Sequence, residues 1–332
     1  MDLSTRWLGL SLPHPFIVGA SPLVNDLDMV RKLEDAGAAA IVMHSLFEEQ
    51  IQGAVADREP LRRETAPFTA GHVFFPLPEQ FPLRPDDYLE QLRRIRAATR
   101  LPVIGSLNGT HLGDWLRYAQ LIESAGASAL ELNLYLLPTD PGRTGASVES
   151  DAFALIRAVR AAVRIPIAAK LLPSFSSLPN FARGLEDAGA DGLVLFNRLY
   201  QPDFDIETPD FVAKTQLSEP SELLLRLHWT ALLSGRLRVP LAVSGGVHDP
   251  SGATKALLAG AAAVQLVSVL LRKGPKALTG IRDGVARWCD QHGYANLAGL
   301  RAGFDFARCP DPEALARGSY LRMLQTWRKR AS

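Results

Sequence analysis

Lysine is scarce in this chain, 7 residues against 29 arginines, and one of the seven, Lys170, ends the apolar run Ile167-Ala168-Ala169. An ammonium at the end of a buried run suits an anionic ligand, or negative charge that develops during a reaction. The residue type also fits a structural pair with an acid such as Glu131, or a Schiff-base nucleophile. Ser244-Gly245-Gly246, followed by His248-Asp249-Pro250 and a helical pattern, makes a bend that a ligand can approach closely. The helix start beyond it offers N–H groups to a phosphate, though a plain tight turn reads the same way. Asn133 and Asn197 end apolar runs as well. An amide carries both donor and acceptor, which suits an imide, a flavin edge or a pyrimidine-like ring, or simply ties loops together. Ala20-Ser21, His44-Ser45, Ser106, Asn108, Gln265 and Ser268 hold similar positions, giving a polar ring with little charge.

Such a ring needs a scaffold that brings many strand ends together. Ala-Gly-Ala precedes an apolar run four times, at Gly37, Gly126, Gly189 and Gly260, and a proline opens an apolar run at Pro15, Pro102, Pro166 and Pro240. Each glycine ends a helix-like segment, and each proline sits where a strand's first residue needs no donor. From proline to the next such glycine the separations are 22, 24, 23 and 20 residues, room for a strand, a helix and two short loops. Helical spacing fills the intervals, as in Leu27, Val30, Leu33 or Leu89, Leu92, Ile95. Four double units predict eight parallel strands, an α/β chain folded as a (β/α)8 TIM barrel. No Gly-x-Gly-x-x-Gly turn follows the first strand to favour a doubly wound dinucleotide fold. Active sites of such barrels lie at the C-terminal strand ends, where the polar ring falls.

Four additions complete the expected architecture. Leu3 to Pro13, with Gly9 between two apolar runs, reads as a hairpin plugging the N-terminal mouth. Long loops are expected after strand two, about 46 to 85, and after strand six, about 198 to 220, together with a helical extension beyond Tyr294 packed outside. No linker or low-complexity tract interrupts residues 1–332, so the expectation is a single domain.

Of the 332 residues 47% are hydrophobic and 21% charged, with 36 basic against 35 acidic side chains. That balance excludes a disordered chain and argues against nucleic-acid or membrane-surface partners. Two cysteines, Cys289 and Cys309, are too few for a disulfide framework, a Cys-rich zinc site or an iron–sulfur cluster, and no metal site is expected. The N-terminus lacks a basic stretch followed by an apolar one, and no apolar run approaches a membrane span. A cytoplasmic location is the default expectation.

At this point the chain resembles the dihydroorotate dehydrogenase family of FMN-dependent barrels. The resemblance rests on Pro15-Phe16, Gly19-Ala20-Ser21, Glu131-Leu132-Asn133-Leu134, Lys170-Leu171, Phe196-Asn197, Ser244-Gly245-Gly246 and Gly260 to Gln265, in that order. It implies FMN lined by Ala20, Ser21 and Asn108, with Lys170 facing the N1/C2-carbonyl edge. Gly245, Gly246 and the Gln265 to Ser268 turn, beside Ser244, hold the phosphate, and Asn133 and Asn197 lie near the ring or substrate. Departures fall on the substrate side. The family's base position holds Leu136 in Tyr135-Leu136-Leu137, its second substrate-reading asparagine aligns with Thr139, and its lysine after strand two becomes His44, or Met43 with a one-residue slip. The loop element around Ala70 to Pro76 differs too, and Val267 replaces a glycine in the phosphate turn.

The implied activity is two-electron oxidoreduction at a CH–CH bond of a small cyclic, dihydroorotate- or dihydropyrimidine-like substrate, in pyrimidine biosynthesis, with hydride passing to flavin N5. Lys170 is then catalytic, and Tyr135, His44 or His72 stands in as the proton-exchanging group. Alternatives are a barrel lyase or aldolase acting on a phosphorylated substrate through Lys170, or a non-catalytic flavin-binding protein. A homodimer or an electron-transfer partner fits the resemblance.

Overall fold

The computed structural model describes residues 1–48, 50, 84–109, 112–199, 203–207, 210–212, 216–301 and 311–326. An antiparallel hairpin comes first, β1 (Thr5–Trp7) and β2 (Leu10–Leu12), turned by Leu8 and Gly9 at φ 51° and 72°. Paired left-handed residues make a turn whose twist matches that of the strands.

The barrel strands are β3 (Phe16–Val18), β4 (Ile41–Val42), β6 (Val103–Asn108), β7 (Ala129–Leu134), β8 (Ile167–Leu171), β9 (Gly192–Leu195), β12 (Leu241–Ser244) and β13 (Ala263–Leu266). They pair in parallel and in that order, and β13 returns to β3, so eight strands close a (β/α)8 barrel. Helices α1 (Leu27–Asp35), α2 (Pro85–Ala98), α3 (Leu112–Ser124), α4 (Gly145–Ala162), α5 (Leu178–Asp187), α6 (Leu223–Leu233) and α7 (Pro250–Leu258) alternate with the strands, followed by α8 (Ser268–Lys273) and α9 (Lys276–Gln291).

The repeated Ala-Gly-Ala ends four helices in one way. Gly37, Gly126, Gly189 and Gly260 all have φ between 86° and 107°, and paired backbone bonds such as Gly37 N to Glu34 O and Ala38 N to Leu33 O close the last turn. A left-handed residue at this place satisfies the final carbonyls and swings the chain into the next strand. Pro15, Pro102, Pro166 and Pro240 lack an N–H, but each carbonyl accepts from a neighbouring strand, at Val264, Ile41, Leu130 and Leu193.

Two cores follow from the two-residue period of the strands. Inward positions Ile17, Val42, Ile104, Ala129, Ala168, Val194, Ala242 and Ala263 pack with Trp7, Leu8 and Leu12 of the hairpin. The many alanines leave room for the tryptophan, and a Cβ on Gly192 would stand 2.9 Å from its ring. Outward positions such as Phe16, Val18, Ile41, Met43, Val103 and Leu195 meet the helices. The hairpin therefore plugs the N-terminal end as the sequence predicts.

The second barrel strand differs from expectation. After a break at 43–45 the chain rejoins the sheet as β5 (Leu46–Phe47), paired with Leu107 and Asn108 of β6. The long loop therefore begins beyond Phe47, because the six-residue β6 gives its last residues a partner there; residues 49 and 51–83, including His72, lie outside the described residues. Within 198–220 the chain forms an antiparallel hairpin, β10 (Asp203–Asp205) with β11 (Asp210–Val212). Beyond Tyr294, α10 (Leu297–Arg301) buries Leu297 and Leu300, while α11 (Pro312–Thr326) leaves Tyr320, Leu321, Met323 and Leu324 more than half exposed. Cys289 is buried and Cys309 lies outside the described residues.

Candidate active site

Two residues beyond the inner alanine layer, strand alternation brings a second inward layer into place: Ser106, Glu131, Lys170, Ser244 and Gln265, all buried. Lys170 Nζ lies 3.2 Å from Glu131 Oε1 and 3.2 Å from Gln265 Oε1. The Gln265 amide in turn donates to Glu131 Oε2. The lysine thus has the structural partner the sequence offered, and it also lines a cavity of about 340 Å³ at the C-terminal mouth, with Ala20, Ser21, His44, Asn133 and Asn197. In the ladder Asn133 lies beside Lys170, and Ser244 beside Gln265. Asn197 Nδ2 donates to Asn133 Oδ1 at 2.7 Å, so the two amides act as one unit.

Strand alternation also separates His44 from Met43. Met43 shares the outward parity of Ile41 and is fully buried against the helices, whereas His44 lines the cavity. The imidazole stands edge-on to Tyr88, ring centroids 5.1 Å apart. Tyr88 is itself pinned, taking a bond from Ser106 N and donating to Ser106 O. Neither His44 nitrogen has a hydrogen-bond partner among the described residues. Burial pushes the imidazole down to about 4, so it is neutral at pH 7. Ser21 Oγ and Asn25 Oδ1, on the same wall, are buried and likewise unpartnered.

At the glycine bend Gly245 and Gly246 have φ of 90° and 80°, a region that L side chains rarely enter. Gly246 N donates to Ser218 Oγ at 3.1 Å, and Ser218 Oγ donates to Ser268 Oγ at 2.9 Å. His248 donates a ring N–H to Ser218 O. Behind the bend lies Arg226, buried, with its Nε on Ser244 O and Nη1 on Glu222 O. A Cβ on Gly245 would lie 3.0 Å from the guanidinium. Val267 has φ −133°, so its side chain carries no left-handed strain. Its Cγ2 fills the space that Gly19 leaves, 2.7 Å from where a Cβ there would stand.

Other expected residues lie further out. Asn108 ends β6, half-buried and beside Asn133 in the ladder. Tyr135 follows β7, half-buried and outside the lining of the cavity, Leu136 packs on the core, and Thr139 is exposed. Sequence reasoning passed over Arg226, Ser218, Asn25 and Tyr88. Arg226 left a signal, since it shares a buried helical stripe with Leu223, Thr230 and Leu233; Ser218, in irregular chain, left none. Among the described residues no cluster of His, Cys, Asp and Glu is placed to hold a metal ion, and no helix is long and apolar enough to cross a membrane.

A family model described as dihydroorotate dehydrogenase matches residues 85–288. The NAD-dependent dihydropyrimidine dehydrogenase subunit PreA of Escherichia coli strain K12 is 26% identical over 317 residues, covering 89% of this chain and 75% of its own. The dihydroorotate dehydrogenase B (NAD(+)) catalytic subunit of Pyrococcus abyssi is 25% identical over 305 residues, 89% of this chain and 96% of its own. Dihydroorotate dehydrogenase A (fumarate) of Lacticaseibacillus paracasei is 32% identical over 173 residues, 51% of this chain and 60% of its own.

Proposed function

Because the chain belongs to the dihydroorotate dehydrogenase family, we propose that it is an FMN-dependent oxidoreductase acting at a CH–CH bond of a small cyclic, pyrimidine-like substrate. The observation that carries the reading is the buried Lys170, on the cavity and bonded to Gln265, whose ladder neighbour Ser244 begins the glycine bend. The residues fit the cofactor at both ends. Ser21 offers a buried, unpartnered hydroxyl beside Ala20, and at the bend Gly246 N donates to Ser218 Oγ and Ser218 Oγ to Ser268 Oγ, a relay that leaves the Ser268 hydroxyl proton to donate to a phosphate oxygen. Ala20, Ser21, Asn108, Asn133 and Lys170 would hold the ring, and Ser244, Gly245, Gly246, Gln265 and Ser268 the phosphate end. When bound, FMN supplies a two-electron acceptor that takes a hydride at N5.

The chain's own residues supply charge, orientation and proton transfer. Lys170, oriented by Glu131 and Gln265, fixes a positive charge where negative charge gathers. The Asn133–Asn197 pair offers amide edges to the substrate, with Thr139 on the exposed approach. Oxidising a CH–CH bond also releases a proton. His44, neutral and on the cavity, is placed to accept it, whereas Tyr135 lies outside the lining. Against Glu131, Lys170 has the surroundings of a cation rather than those of a Schiff-base amine.

Residues 1–332 form one barrel domain in this reading, located in the cytoplasm. The names of two relatives, each a subunit, support an electron-transfer partner; a second copy of the chain is the other candidate. The test is direct: the protein incubated with excess FMN and desalted retains flavin absorbance, which an anaerobic dihydropyrimidine bleaches. Protein that stays colourless overturns the assignment.

A further inference from the structure

Resting on that reading, we propose that Tyr88 is the positioning residue of the proton transfer, its ring fixing the His44 imidazole at the cavity wall. The reason begins in the register of the second barrel strand. Val42 pairs with Ile104 and Leu46 with Leu107, so three residues, Met43, His44 and Ser45, stand opposite two, Gly105 and Ser106. The extra residue is a β-bulge, and a bulge re-aims the side chains it carries. Here it turns His44 to the cavity.

A bulge also withdraws a partner from the facing strand. Val103 O accepts from Ser128, just before β7, and Ile104 O from Met43 at 2.9 Å, so by the two-residue period the Ser106 backbone faces the bulged strand. Its N–H donates instead to the Tyr88 hydroxyl, 2.9 Å away, and that hydroxyl donates back to Ser106 O at 3.2 Å. Tyr88, in the first turn of α2, is fully buried, and its ring stands at 84° to the His44 ring with centroids 5.1 Å apart. Ser45, next to His44, is hydrogen-bonded through its hydroxyl to that of Ser106 at 2.8 Å. One residue of β6 therefore anchors both the chain beside His44 and the ring against it. Neither imidazole nitrogen is hydrogen-bonded among the described residues, so packing sets the angle of the ring. That angle matters for the reaction. Oxidation at a CH–CH bond removes a hydride from one carbon, passed to the flavin, and a proton from the other, taken by a His44 nitrogen. A base misplaced by about 1 Å forfeits about 100-fold in rate.

Tyr88→Phe and Tyr88→Leu separate the ring from the hydroxyl. Both lose the bonds to Ser106 and should lower the urea midpoint, but only Tyr88→Leu loses the ring beside His44. In FMN-loaded protein reduced anaerobically by dihydrouracil, Tyr88→Leu is expected to slow flavin reduction about 10- to 100-fold, with the dissociation constant within about twofold, while Tyr88→Phe keeps the rate within about threefold. In the His44→Asn background Tyr88→Leu adds no further loss. A loss in Tyr88→Phe as large as in Tyr88→Leu, or an undiminished loss in the His44→Asn background, overturns the proposal. A second readout needs no flavin. In selectively labelled protein the His44 ring protons, identified by their absence in His44→Asn, carry a ring-current shift that Tyr88→Phe keeps and Tyr88→Leu removes. Unchanged shifts in Tyr88→Leu overturn the proposal too. Should that variant not fold, absence of nuclear Overhauser contacts between the Tyr88 and His44 rings of the unaltered protein does the same. Protein that holds no flavin, or His44→Asn reduced at the unaltered rate, fails the functional reading instead, and the ring-proton comparison then decides alone whether Tyr88 holds His44.

Discussion

Two groups of buried polar side chains at the barrel mouth are built on opposite principles. On the side of β7, β8, β12 and β13, the buried Glu131, Lys170, Gln265, Ser268 and Arg226 are each hydrogen-bonded within the protein. On the side of β3 and β4, Ser21, Asn25 and His44 hold buried polar atoms with no partner among the described residues. A satisfied network holds its own geometry, because every member loses a bond when one moves. Uncommitted buried groups carry a desolvation cost that a hydrogen-bonding partner relieves. In the proposed function the first group positions and the second recognises.

Removing a member of the satisfied half should cost most. Lys170→Met leaves Glu131 buried without its cation, and urea denaturation is expected to show a loss of about 3–5 kcal/mol, largely recovered in Lys170→Met/Glu131→Leu. A single-variant loss below about 1 kcal/mol would erase the contrast. The recognising half is tested next by pH. With His44 at about 4 in the folded protein and about 6.5 unfolded, its neutral form contributes fully above pH 6.5, and stability declines as pH falls toward 4. The decline reaches about 3 kcal/mol from this group. Denaturation at pH 4.5 and 7 should show it, flattened in His44→Asn to the remainder that buried His14 and the carboxyls of Glu186 and Glu219, all held below their ordinary values, supply.

Arg226 sharpens the comparison at the phosphate end. Arg226→Met should weaken FMN about 10- to 100-fold, by loosening the bend it braces, and leave riboflavin, which lacks the phosphate, almost unchanged. Equal losses for the two ligands would reduce Arg226 to a packing residue. The smallest effect pairs two serines. Ser218→Ala should cost the flavin-free protein about 1 kcal/mol. Ser21→Ala, which removes an unpartnered hydroxyl, should be neutral or slightly stabilising and weaken FMN binding. A Ser21→Ala loss matching that of Ser218→Ala would show that the recognising half is as self-satisfied as the other.

Much of this architecture is legible in the chain because its signals are local. Gly37, Gly126, Gly189 and Gly260 mark helix ends through backbone conformation alone, and the prolines mark strand starts through the donor they lack. Lys170 stands out by scarcity and by its place at a run's end. The second strand reads poorly, because its return as Leu46–Phe47 depends on β6 being long enough to pair with it. Tyr135 and Thr139 have suitable chemistry and lie near in sequence to Asn133, yet the chain leaving β7 leaves Tyr135 half-buried off the cavity lining and Thr139 exposed.

The sequence by itself determined the repeat, the closed parallel barrel it implies and the ring of polar strand ends, since each follows from periodicity and from what glycine, proline and alternating strands permit. Tertiary structure alone decided which groups are spent on one another: that Glu131 and Gln265 occupy Lys170, that Arg226 lies behind the glycine bend, and that His44 keeps both nitrogens uncommitted. Partners such as Glu131 and Gln265 stand 134 residues apart in the chain. Only closure of the barrel brings them within a hydrogen bond, and no local pattern records a contact made through space.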